Sequence, residues 1–197
     1  MTVSTMRFYA SVGRTVGICL FALSLLVLPL QGLAEGSVRY AEIVSGEDGY
    51  VVNADIHLEL NPRLEDAISR GVSLHFVAEF QIVRARWYWF DAVIVERSLH
   101  YRLSYHAITR TYRLSIGNLH QSFDNLDAAV RTMQRIRNWH IVDQNALESG
   151  VSYNAALRFM HDKSMLPRPF QVTAIGSRDW NLGTDWMRWT FLAGTTR

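Results

Sequence analysis

Alternation of apolar and polar positions marks three segments of the chain: Tyr50–Leu60, Ser73–Val83 and Val151–Phe159. Side chains on successive residues of a strand point to opposite faces, so this period of two predicts strands with one buried face. The apolar positions are Tyr50, Val52, Ala54, Ile56, Leu58 and Leu60 in the first segment, Leu74, Phe76, Ala78, Phe80 and Ile82 in the second, and Tyr153, Ala155, Leu157 and Phe159 in the third.

Further strands are predicted around these three. Val38–Val44 is the first. In Trp87–Phe90 and Val93–Val95, odd-numbered and even-numbered positions are both apolar, which predicts a central strand buried on both faces. The tail around Trp180 and Trp189 predicts a final strand pair.

Leu99–Ile116 predicts a hairpin that turns at Ile108-Thr109 or through a longer loop. In that register every pair joins similar residues, as a hairpin with one buried face requires. The predicted pairs are Tyr101 with Ile116, Leu103 with Leu114, Ser104 with Arg113, Tyr105 with Tyr112, and His106 with Thr111.

Two short helices are predicted between strands. Asn61 and Pro62 favour the cap and first turn of one helix, which ends at Gly71. The second begins at Asp124, and its last turn contains Arg135 and Arg137. Its apolar stripe comprises Leu126, Ala129, Val130, Met133 and Ile136. Leu166-Pro167-Arg168-Pro169 predicts a rigid extended loop. The fold class predicted is α+β, mostly antiparallel β-sheet or sandwich with two short helices between strands.

The first 34 residues have the order of a secretory signal peptide. They contain no acidic residue, Arg7 and Arg14 precede the apolar run Val16–Leu28, and small residues at Gly32 and Ala34 predict cleavage after Ala34. We therefore expect residues 1–34 to be a signal peptide and residues 35–197 a single globular β-rich domain in the periplasm. The alternative is a retained anchor that holds the domain at the inner membrane, facing the periplasm.

Charge and composition exclude several classes of function. The chain has 20 basic and 18 acidic residues; without Arg7 and Arg14 the balance is 18 against 18, so net charge gives no support for nucleic-acid binding. The only cysteine, Cys19, lies in the predicted signal, which excludes a disulfide framework and a cysteine-built zinc site. Motifs for phosphate loops, dinucleotides and nucleophile elbows are missing from the sequence, so no cofactor is expected. Carboxylate pairs of the glycosidase type stay open, since their separation is set in space.

Candidate binding residues are Arg84, Arg86, Trp87 and Trp89, because arginine and aromatic residues are enriched at binding hot spots. They would line a ligand cleft or a protein-binding face, and core packing of the aromatic residues is the alternative. His57 and Glu59 share a strand face and could bind a metal with His75, but an ordinary solvent-exposed face explains them better, and no metal site is predicted.

Several motifs together resemble a family of exported proteobacterial proteins known as a domain of unknown function, numbered four-three-nine-zero. They are, in order, Ile56-His57-Leu58-Glu59-Leu60-Asn61, Gly71-Val72-Ser73-Leu74, Arg84-Ala85-Arg86-Trp87-Tyr88-Trp89, Tyr101-Arg102-Leu103-Ser104-Tyr105-His106, Leu166-Pro167-Arg168-Pro169, and Trp180, Trp186 and Trp189. The resemblance implies no catalytic residue or ligand. It does imply a gene neighbourhood shared with a sensor histidine kinase of the nitrogen-regulation type.

The function expected is that of a non-enzymatic periplasmic binding or regulatory module whose partner is an envelope protein, the sensing region of such a kinase included. One alternative is a small-ligand binder or hydrolase with an aromatic-lined cleft. Another is a membrane-tethered envelope factor whose only membrane contact is an uncleaved N-terminal segment. No nucleic-acid partner is expected.

Overall fold

The computed structural model describes residues 36–46, 48–84, 92–174 and 176–194, and residues 34–197 belong to one compact unit. In chain order the elements are β1 (Gly36–Ser45), β2 (Tyr50–Leu58), α1 (Pro62–Ser69), β3 (Leu74–Arg84), β4 (Ala92–His106), β5 (Thr111–Ile116), β6 (Leu119–Phe123), α2 (Leu126–Met133), β7 (Arg135–Val142), β8 (Ser152–His161), α3 (Arg168–Ala174) and β9 (Met187–Leu192).

The strands form two antiparallel sheets. The smaller has the order β1-β2-β7, and the larger has the order β6-β5-β4-β3-β8-β9. Ring contacts connect them: Phe80 of β3 lies 6.1 Å from Trp139 of β7, and Tyr50 of β2 lies 6.4 Å from Phe191 of β9. The apolar faces of both sheets thus share one core, and the predicted α+β class with mostly antiparallel sheet is confirmed.

The three alternating segments are strands, as predicted. Every second residue of β2 is buried from Tyr50 to Leu58, and β8 repeats this pattern up to His161. β3 does the same, with Val77 buried in addition. Leu60 follows the end of β2 and is only partly buried.

The predicted hairpin register is confirmed for all five pairs, from Tyr101 opposite Ile116 to His106 opposite Thr111. The loop comprises residues 107–110 rather than two residues. Arg110 has a φ of 54°, a left-handed conformation that a loop of this length uses to reverse the chain.

The prediction of a central strand buried on both faces is wrong at Val93 and Ile94, which belong to the described part of that segment. Val93 is 57% exposed and Ile94 is 41% exposed. The reason is pairing: the first part of β4 pairs only with β3, and β5 joins from Tyr101 onwards. Trp87–Phe90 lie outside the described residues.

The first helix follows the prediction. Asn61 accepts a hydrogen bond from the backbone N–H of Leu64 at 3.0 Å, Pro62 begins α1, and Gly71 has a φ of 88°. The second helix is shorter than predicted, because the carbonyl of Gln134 accepts the N–H of Ile56 in β2.

Arg135, Ile136 and Arg137 therefore belong to β7, not to the last turn of α2. The cap of α2 is Asn125, whose side chain accepts from Ala128 N at 2.8 Å. Neither β6 nor β7 was predicted.

The C-terminal part also differs from the prediction. Arg168 and Pro169 begin a third helix, α3, so only Leu166 and Pro167 remain in the predicted extended loop. The predicted final strand pair is wrong: a short 3₁₀ turn, Arg178–Trp180, precedes β9, which pairs with β8. The predicted signal segment, residues 1–34, lies outside the described residues. Among the helices that are described, none is both long enough and apolar enough to cross a membrane.

Candidate functional site

A bulge in β1 turns an arginine onto the outer face of the smaller sheet. Val38 pairs with Ile56 and Tyr40 pairs with Asp55, so Arg39 is an extra residue without a partner in β2. Bulges of this kind re-aim a side chain at a sheet edge. Arg39 and Tyr40 are both exposed there.

A second bulge lies on the other side of β2 at the same height. Trp139 pairs with Val52 and Ile136 pairs with Ala54, so Arg137 and Asn138 of β7 share the position opposite Asn53. Asn138 has a φ of 52°, and its N–H donates to the Asn53 side chain at 2.9 Å. Two bulges thus flank the middle of β2.

Asp55 lies between the bulges and holds one arginine in place. Arg137 donates to the Asp55 carboxylate at 2.5 Å and to the carbonyls of Ala54 and Ile136 at 2.8 Å. These three hydrogen bonds hold the Arg137 side chain in one position at the side of the site. Asp55 forms its ion pair with Arg137 alone among the described residues.

The bulges open into what we call the arginine groove, a depression of about 480 Å³. Its lining is Arg39, Tyr40, Asp55, Ile56, Arg131, Gln134, Arg135 and Arg137. Among the described residues, Arg39, Arg131 and Arg135 have no carboxylate within ion-pair distance. Three exposed guanidinium groups that make no ion pair therefore line one depression, an arrangement suited to carboxylate or phosphate groups.

Tyr40 borders the groove and is held by neighbours on β1 and β2. Its hydroxyl donates to Glu42, and this hydrogen bond raises the pKa of Tyr40 and lowers the pKa of Glu42. Asn53 also donates to Glu42, at 3.2 Å. These two hydrogen bonds favour the ionised form of Glu42, and its carboxylate is directed towards Tyr40 and Asn53.

A second depression, which we call the acidic groove, adjoins the first and has a volume of about 450 Å³. It is lined by His57, Leu58, Glu59, Leu60, Glu65, Leu126, Asp127, Val130, Arg131 and Gln134. Arg131 and Gln134 line both grooves, so the two lie side by side. Gln134 is fixed at this junction, because its side chain donates to the carbonyl of Leu58. The surface therefore changes from mainly positive to mainly negative across Arg131 and Gln134.

The grooves contain charged side chains and a histidine. His57 contacts Glu59 at 3.6 Å, but His75 does not join them. Within the described ranges no group of three or more His, Cys, Asp or Glu residues is placed to hold a metal ion. The guanidinium and carboxylate groups of the grooves form ion pairs and hydrogen bonds with a ligand of opposite charge.

Of the binding residues predicted from the sequence, only Arg84 is described. It ends β3 and makes two hydrogen bonds to Glu148, at 2.9 and 3.3 Å, which raise the pKa of its guanidinium. Arg86, Trp87 and Trp89 lie outside the described residues, and their role remains a prediction. The exposed Val93 and Ile94 follow them in the chain.

The arginine groove was missed in the sequence because its residues come from three distant segments. Arg131 and Arg135 are four residues apart, but Arg39 is remote from both in the sequence, and bulges displace Arg39 and Arg137 from the regular alternation. The sequence did contain one indication, the clustering of Arg131, Arg135 and Arg137, but Arg135 and Arg137 were assigned to the end of a helix.

Comparison with known proteins gives a family. A model described as "Domain of unknown function (DUF4390)" matches residues 34–190, and the chain belongs to this family. The resemblance seen in the sequence motifs is therefore confirmed. No curated protein and no solved structure shows a significant match.

Proposed function

We propose that this protein is a non-enzymatic binding module that takes an extended segment of a protein partner along the arginine and acidic grooves. The observation that carries the proposal is that the two grooves adjoin: the groove of three unpaired arginines, Arg39, Arg131 and Arg135, lies next to a depression lined by Glu59, Glu65 and Asp127. Acidic side chains of the partner lie in the first groove and basic side chains in the second.

The change of sign along the surface favours a polypeptide over other anions. A phosphate polymer carries one charge throughout, so the acidic groove would repel the part that extends past Arg131. A polypeptide presents acidic and basic side chains within a few residues of each other. Opposite charges on partner and groove also fix the direction of the bound segment.

Export is part of the proposal. The order of charge, apolar run and small residues in residues 1–34 supports cleavage after Ala34 and a periplasmic location. The partner is then an envelope protein. The sensing region of a membrane sensor histidine kinase is the first to test, given the gene neighbourhood that the family resemblance implies.

The test is in-cell crosslinking of a C-terminally tagged chain in its native envelope, followed by purification and mass spectrometry. We expect one recurrent partner, crosslinked to residues of the two grooves through a segment that contains both acidic and basic residues. Arg39→Glu with Arg135→Glu should reduce recovery about tenfold or more, because both arginines then repel the acidic side chains they attract. Glu65→Lys should reduce it through the acidic groove.

Arg113→Glu is the matched control, since Arg113 is exposed on β5 and lines neither groove. It changes net charge by the same amount per site and should leave recovery unchanged. Loss of the partner in this control as well, or full recovery in the groove variants, would contradict the proposal. So would a chain that crosslinks to nothing.

A further inference from the structure

The outer face of the larger sheet contains a hollow that is one side chain deep. It shares no lining residue with the arginine groove. Ala156 of β8 forms its floor, with Gln81 of β3 on one side and Arg188 of β9 on the other. Neighbouring strands lie about 4.8 Å apart, so the two flanking backbones are roughly 10 Å apart. The depression has a volume of about 490 Å³.

A rigid wall closes one end of the hollow. Arg158 donates to Glu79 at 2.5 Å, and its guanidinium carbon lies 4.5 Å from the ring centroid of Trp186. The ion pair and the cation–π contact hold the three side chains in one row across the strands. Trp186 is thus a fixed aromatic surface in the lining of the hollow.

Hydrogen-bonding groups form the opposite end and the sides. Thr190 donates to the Asn154 side-chain oxygen at 2.9 Å, which leaves the Asn154 amide nitrogen available. Among the described residues, the side chains of Gln81 and Arg188 make no hydrogen bond or ion pair. The hollow therefore combines a fixed indole, two carboxamides, a hydroxyl and one unpaired cation.

We propose that this hollow binds a sugar ring of an acidic carbohydrate. A pyranose ring has C–H groups on its faces and hydroxyl groups around its edge. The C–H face packs against the indole of Trp186 and the methyl group of Ala156, because the negative face of an aromatic ring attracts the weakly positive C–H groups. Gln81 and the Asn154 amide bind the ring hydroxyls, since carboxamides both donate and accept.

Arg188 specifies the acidic substituent. Glu79, in the neighbouring row, is paired with Arg158. Glu96 lies opposite Gln81, and β3 and β8 separate it from Arg188. Among the described residues no carboxylate pairs with Arg188, so its charge is left for the ligand. A carboxylate on the sugar ring meets the guanidinium in two parallel hydrogen bonds. A neutral sugar lacks this contact and binds more weakly.

The test uses tetragalacturonate and its uncharged methyl ester as probes, titrated into the purified full chain. Binding is measured by calorimetry and by the indole N–H resonance of Trp186, which is assigned with Trp186→Phe. We expect the acid to bind at least tenfold more tightly than the ester. Ala156→Leu fills the floor of the hollow and should abolish binding of both probes.

Arg188→Gln should weaken the acid tenfold and leave the ester unchanged. Ser115→Leu is the control, because Ser115 lies on the same outer face but on β5, outside the hollow. It should bind as the unmodified chain does, and a matching unfolding curve shows that Ala156→Leu still folds. The proposal is overturned if neither probe binds at millimolar concentration, if Ala156→Leu binds normally, or if acid and ester bind equally.

Discussion

His161 is the most deeply buried ionisable side chain of β8 and has only one polar partner. It is 2% exposed, and its Nδ1 lies 3.1 Å from the carbonyl of Trp180. A carbonyl only accepts, so Nδ1 carries the proton of the neutral ring and Nε2 does not. Nε2 has no partner among the described residues, and the rings of Phe76 and Trp180 lie next to it. Protonation would thus put a charge among aromatic rings.

This environment predicts a loss of stability in acid. Burial lowers the pKa of His161; the Trp180 carbonyl and Asp162 oppose the shift, and His75 and Lys163 add to it. The pKa of His75 is also lowered, by burial and by Arg102. Each histidine therefore binds a proton more readily unfolded than folded, so stability is complete above about pH 6.5 and falls as the pH drops below it, by at most about 1.4 kcal/mol per pH unit for each.

Urea unfolding between pH 7.5 and pH 5 measures the slope. His161→Asn keeps a donor for Trp180 but does not titrate, so its slope should be shallower than that of the unmodified chain. His120→Asn, at an exposed position on β6, should keep the original slope. An unchanged slope in His161→Asn would show that the buried imidazole does not control acid stability.

At the scale of elements, the bulge in β7 links backbone conformation to the proposed binding surface. Asn138 has a φ of 52°, which costs most residues with a side chain about 1–2 kcal/mol, and which asparagine and glycine tolerate. Asn138→Gly should therefore leave the free energy of unfolding nearly unchanged, whereas Asn138→Ala should lower it by about 1 kcal/mol. Relaxation of the bulge in the alanine variant would also move Arg137 away from Asp55.

Chemical denaturation of the two variants, with recovery of the crosslinked partner as a second measurement, tests this prediction. The glycine variant should recover the partner fully and the alanine variant should not. Equal behaviour of the two in both measurements would mean that the left-handed conformation does not maintain the groove.

Some strands could be predicted from the sequence and others could not. β2, β3 and β8 were predictable because each buries one face over its whole length, and the hairpin register followed from matching pairs. β6 has four exposed residues out of five, so burial imposed no alternation on it. In β7 the bulge at Arg137 breaks the alternation, and the same bulge builds the site. The irregular backbone thus hid both the strand and the proposed site from the sequence pattern.

At the scale of the whole molecule, charge is balanced overall but separated locally. Residues 35–197 have as many basic as acidic side chains, yet three unpaired arginines collect in one groove and Glu59, Glu65 and Asp127 in the next. Net charge therefore says little about what this protein binds. In the proposed function the local arrangement of charge on the smaller sheet decides binding, and that sheet packs on a core shared with the larger one.

Phe80 is the side chain that tests whether the two sheets behave as one unit. It is fully buried in β3 and lies 6.1 Å from Trp139 of the smaller sheet and 6.2 Å from Trp189 of β9. Phe80→Ala should lower the free energy of unfolding by about 3–5 kcal/mol through the cavity it leaves, and Phe80→Leu by about 1.5 kcal/mol or less. Because the cavity borders both sheets, tryptophan fluorescence and far-ultraviolet circular dichroism should shift to the same lower urea midpoint. Separate midpoints in Phe80→Leu would show that the sheets unfold independently, in which case the grooves of the smaller sheet would not gain their rigidity from the larger one.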